Sequence, residues 1–248
     1  MKTIRIAIIG ETTIFPPGAL TRSGAIAAEI ARVKGTEVTL RAVAPDAAAA
    51  GRLTAALSLA GVRGQITHRH DASDSSPIRN GDTLDIWNLF GHDVVILDFD
   101  DATLRSFLTD LPAHTKPDVR LLGTLDYARA PLSPADREVA FRFDTLIGTP
   151  SQIKHLAGSD NAQSGLAKIH AQLRGVNLRA TVLMGDGSLK IAEIDEPLQS
   201  IPLPPDSSRE DMSRIIAHTA ICVARREEWS TIAESLATSE QHARPILD

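Results

Sequence analysis

Apolar and polar positions run along this chain in two alternating rhythms. Thr3–Gly10 (TIRIAIIG) is dense in isoleucine and reads as a buried strand stopped by Gly10. Gly24–Gly35 (GAIAAEIARVKG) follows as a small-residue helix, with Gly35 as its terminator. Thr36–Ala44 (TEVTLRAVA) is the next strand. Asp46 then caps a helix whose Leu53, Leu57 and Leu59 suit packing. Gly91–Asp101 gives a further strand, and Leu104, Phe107, Leu108 and Leu111 fall at helical spacing after it. Asp118–Asp126 (DVRLLGTLD) repeats the strand pattern, and Ser133-Pro134 opens another helix with a cap and a proline at its first position.

Strand–helix–strand units at this spacing predict a single doubly wound α/β domain over residues 1–248, a mainly parallel sheet with helices on both faces. Thr3–Ile9, Val38–Val43, Val94–Leu97, Val119–Leu122 and Thr181–Leu183 are its expected members. Asp186-Gly187 between two β-rich runs is a hairpin signal, so an antiparallel pair is expected at a sheet edge. His68–Asn80 is polar and reads as a long surface loop. Ile201–Asp206 (IPLPPD) reads as a proline-rich loop that leads into a helix beginning near Ser208.

Composition narrows the class. Hydrophobic residues are 43% of the chain and charged residues 23%, the balance of a soluble globular protein. The net charge of −5 offers no electrostatic reason to expect nucleic acid or an anionic membrane as a partner. Cys222 is the only cysteine, which excludes an internal disulfide and a multi-thiolate metal site. The amino-terminal apolar run is too short for a signal peptide and nothing later approaches a membrane span, so a cytoplasmic location is the expectation.

Familiar nucleotide signatures are missing, whether a phosphate-binding G-x-x-x-x-G-K-[ST], a G-x-G-x-x-G or a G-x-S-x-G elbow. His68 and His70 on an extended strand would face one side, with Asp71 beside them. Without a third fixed ligand the reading is a solvated loop, and no metal is assigned there. Carboxylates stand at several strand ends, where open α/β sheets bind ligands: Glu11 after the first strand, Asp98, Asp100 and Asp101 after the third, and Asp126.

The order of features resembles the ribokinase-like (PfkB) family of carbohydrate and nucleoside kinases over most of the chain. Gly18–Gly64 is similar to the amino-terminal signature, in which a Gly-Gly turn leads into an Ala-rich helix, a strand and an Asp-led helix; Gly18-Ala19 stands for the Gly-Gly. The stretch FDTLIGTPSQIKHLAG takes the place of the Asn-Glu-x-Glu segment, ATVLMGDGSLKI resembles the Thr-x-Gly-x-x-Gly strand, and PDSSREDM falls where the family carries Asp-Thr-x-Gly-Ala-Gly-Asp.

The resemblance implies an ATP- and Mg-dependent kinase acting on a sugar or similar alcohol. Asp211 would be the catalytic base, Ser208, Arg209 and Gly185 would bind nucleotide or phosphate, and Glu11, Gly18 and Asp126 would bind the sugar-like ligand. The departures imply a second outcome, a catalytically silent relative that binds a small molecule or a protein partner. Ser208, Arg209 and Glu210 replace the Gly-Ala-Gly that lets backbone amides approach a phosphoryl group, and Glu210 puts a carboxylate at the positive end of the helix dipole. Thr149 and Gln152 take the positions of the metal-linked Asn and Glu. Ser208 to Asp211 also fits a capping box, a role worth about 1 kcal/mol that needs no substrate. Both readings of Asp211 stay open. The short connections Gly10–Gly18 and Gly64–Phe90 imply that the family's β-lid is reduced or absent, which would leave a site poorly shielded from water.

Overall fold

In the computed structural model, residues 2–10, 14–15, 19–68, 89–98, 115–124, 137–138, 140, 142–173, 180–185, 188–202, 209–232 and 234–235 are described, those at 15, 180–185 and 209–211 by their backbone alone. The chain forms two compact units, Met1–Tyr127 and Ala128–Asp248.

Unit 1 is built on five strands: β1 (Ile4–Gly10), β4 (Thr36–Ala44), β5 (Arg63–His68), β6 (Val94–Asp98) and β7 (Arg120–Thr124). They lie in the order β7-β6-β1-β4-β5, each neighbouring pair parallel. Two further strands, β2 (Ile14–Phe15) and β3 (Ala19–Leu20), form a small antiparallel hairpin. Helix α1 (Ser23–Ala31) links β3 to β4, and α2 (Ala47–Leu59) links β4 to β5. The central strands carry apolar side chains on both faces because both are covered. Ile6, Ile8, Ile9, Leu40, Val94, Ile96 and Leu122 are buried, as are Ile26 and Ile30 of α1 and Leu53 and Leu57 of α2. Asp46 caps α2 by accepting from the Ala49 N–H at 2.7 Å, as the sequence predicts. Gly35, read in the sequence as the terminator of the first helix, turns the chain at φ 87° just ahead of β4, while α1 itself ends at Ala31 with Arg32 as its C-cap.

The amino-end side of this sheet is tied by ions. Asp93, ahead of β6, accepts from Lys116 Nζ at 2.7 Å, Lys2 Nζ at 3.4 Å and the Arg5 backbone N–H at 3.0 Å. Burial raises the Asp93 carboxyl, but these donors outweigh it and hold the group below its ordinary range.

Unit 2 contains β8 (Thr145–Gly148), α3 (Pro150–Ala157), α4 (Ala162–Gln172), β9 (Ala180–Gly185), β10 (Ser188–Glu193), β11 (Gln199–Pro202) and α5 (Arg209–Arg225). Strand β8 pairs parallel with β9, while β9-β10 and β10-β11 are antiparallel. The expected hairpin is present, although its turn at 186–187 lies outside the described residues. Cys222 is buried on α5, as are Ile215, Ile216, Ala217, Ala220 and Ile221 of the same helix. One turn earlier, His218 Nε2 lies 2.7 Å from Ser235 Oγ, and Ser235 Oγ lies 2.9 Å from the Ile232 carbonyl.

All five expected strands are strands. Two others differ from the sequence reading. β5 follows directly on Gly61, where little β-rich sequence is expected, because an edge strand needs few buried positions. Ile201 and Pro202 belong to β11, with Pro202 at its end opposite Ser188, where its missing N–H costs little. The helix predicted over 101–111 lies outside the described residues. So does most of the segment 64–90 from which a lid could grow; among the described residues, the β2-β3 hairpin is the only strand pairing outside the two units' sheets. No helix among the described residues is long and apolar enough to cross a membrane.

Candidate functional site

The sheet of unit 1 has a switch point. From β1 the chain steps outward to β4 and β5, then returns to the other side of β1 to lay down β6 and β7. The strand order thus reverses between β1 and β6, and the carboxyl ends of such a pair are the position where open α/β sheets receive ligands. Gly10 and Asp98, the last residues of these two strands, are register partners.

Asp98 is 3% exposed, and both its carboxylate oxygens are engaged. Ser23, the first residue of α1, donates its hydroxyl to Oδ2 at 2.6 Å. Thr124, the last residue of β7, donates to Oδ1 at 2.6 Å. Ser23 also lies 3.4 Å from the Asp98 carbonyl. Gly10 makes the closeness possible: a Cβ at this position would collide with Ser23 Oγ and with the Asp98 backbone oxygen.

Directly ahead of Ser23, Arg22 is the N-cap of α1 and makes no side-chain cap bond to the helix. Its φ of 49° and ψ of −123° lie in territory that glycine enters freely and arginine does not. A turn closed by the Gly24 N–H on the Thr21 carbonyl at 3.0 Å holds it there. The glycine-type conformation ahead of the Ala-rich helix therefore falls on Arg22, while Gly18 lies outside the described residues.

Unit 2 presents a helix start of another kind. Thr149 caps α3 in a reciprocal capping box, its hydroxyl accepting from the Gln152 N–H at 3.5 Å and the Gln152 side chain accepting from the Thr149 N–H at 2.8 Å. Two neutral side chains that satisfy each other are a poor donor set for Mg, which prefers carboxylate and water. Among the described residues no group of three His, Cys, Asp or Glu side chains could hold a metal ion.

Of the other predicted site residues, Arg209 and Asp211 lie in the first turn of α5, and Gly185 ends β9 opposite Ser188. Glu11, Asp126 and Ser208 lie outside the described residues, as do His70 and Asp71. Asp98 is the strand-end carboxylate that the structure builds into a cluster. Sequence reasoning reaches Asp98 but misses Ser23 and Thr124, and the only available signal is their placement at a helix start and a strand end.

The chain has the ribokinase-like α/β fold. No protein-family model and no curated protein matches it. Solved structures do, across nearly the whole length. The PfkB protein from Polaromonas sp. JS666 is 12% identical at a TM-score of 0.68, covering 97% of this chain and 96% of its own. Phosphofructokinase-2 from Escherichia coli is 11% identical at a TM-score of 0.64, covering 98% and 93%. A pyrophosphate-dependent kinase in the ribokinase family is 11% identical at 0.63, covering 97% of both chains.

Proposed function

We propose that this chain is a phosphoryl-transfer protein of the carbohydrate-kinase type, whose acceptor is a sugar-like alcohol received at the β1–β6 switch point of unit 1. The observation that carries the reading is the switch point between β1 and β6 in a ribokinase-like fold, the place where open α/β sheets receive ligands; Asp98 ends β6 there, its carboxylate held by Ser23 and Thr124. Glu11, Gly18 and Asp126 are the further acceptor residues in this reading. Ser208, Arg209 and Gly185 serve the phosphoryl donor. The family resemblance gives Asp211, in unit 2, the role of general base in a transfer in which the acceptor oxygen bonds to phosphorus as the donor's bridging P–O bond breaks.

ATP is the donor implied by the sequence resemblance. Pyrophosphate is the other donor to test, because a structurally similar kinase is described as pyrophosphate-dependent. The Thr149–Gln152 pair does not fit a Mg-linked segment, so no step is assigned to Mg there. That same pair favours a second reading, in which the chain keeps the acceptor site and binds a polyol without phosphorylating it.

Phosphorus NMR of the full chain with ATP-Mg or pyrophosphate-Mg and a panel of sugars and inositols is the test. A new phosphate monoester supports transfer, and calorimetric polyol binding without turnover supports the second reading. If calorimetry with the same panel finds no polyol binding and the spectra show no turnover, both are wrong.

A further inference from the structure

We draw no further inference here: the strongest candidate, the cavity of about 490 Å³ between the last turn of α4 and the β10–β11 connection, lined by His170, Asp195 and Glu196, is a cluster of acidic groups with one histidine beside which nothing in the structure points to a ligand.

Discussion

Thr149 and Gln152 close on each other at the start of α3, each side chain accepting from the other's backbone N–H. A capping box satisfies helix-start donors that would otherwise need water. Gln152→Ala should therefore lower stability by about 0.5–1 kcal/mol in urea unfolding. Gln152→Glu keeps the cap and adds a carboxylate. If α3 serves the phosphoryl donor, that change should tighten Mg-dependent binding of ATP or pyrophosphate in calorimetry, and an unchanged affinity would detach α3 from the donor.

Arg22 is held in a backbone region that costs a residue with a Cβ about 1–3 kcal/mol. Arg22→Gly should relieve that strain, partly offset by the greater freedom of glycine in the unfolded chain and by loss of the arginine's contacts. The expected outcome is a melting temperature equal to or above wild type. A clear fall would mean that the guanidinium's contacts outweigh the strain of the turn.

Asp93 carries a pH signature. Its folded-state pKa lies below the ordinary 3.8, so the unfolded chain binds its proton more readily. The associated stability is present above about pH 4 and is lost as pH falls below 3.8 through the lowered value. Asp93→Asn should be less stable than wild type by about 1–3 kcal/mol near neutral pH, with the gap narrowing in acid. Urea midpoints of the two proteins at several pH values measure it, and a gap independent of pH would refute the assignment.

For the first turn of α5, Asp211→Asn separates the two roles that Asp211 could play. As a general base, its loss should remove turnover with little change in stability, because asparagine still accepts a helix-start hydrogen bond. As a cap alone, wild type should already lack turnover. Arg209→Ala with Glu210→Gly tests the same turn from the donor's side: removing the carboxylate and admitting bare backbone should strengthen ATP-Mg binding about tenfold in calorimetry.

The strands of the core were legible because their apolar runs are nearly continuous; Val94–Asp98 is buried throughout and admits no other reading. β5 was not, since on this edge strand Arg63, Gln65, Thr67 and His68 are exposed and only Gly64 and Ile66 are partly covered. The candidate site was legible in one residue of three. A carboxylate ending an apolar strand is visible in sequence. Its partners lie 75 and 26 positions away, and only sheet order brings Ser23 and Thr124 to it. Arg22 gave no signal at all, because the backbone conformation that marks it belongs to glycine and the residue is not one.

The chain's lone cysteine is a chemical clock. Burial, and then the Glu227 carboxylate beside it, push the Cys222 thiol up to about 12, so the native protein presents almost no thiolate to an alkylating reagent. Labelling must then wait for α5 to come away from its packing, and the ordinary acidity of an exposed thiol returns only in that opened state. Iodoacetamide uptake, followed by mass, should accordingly report the opening of this one helix. If the step is local, its rate should hardly respond to low urea; if it tracks global unfolding, the rate should climb with the same denaturant dependence as the whole chain.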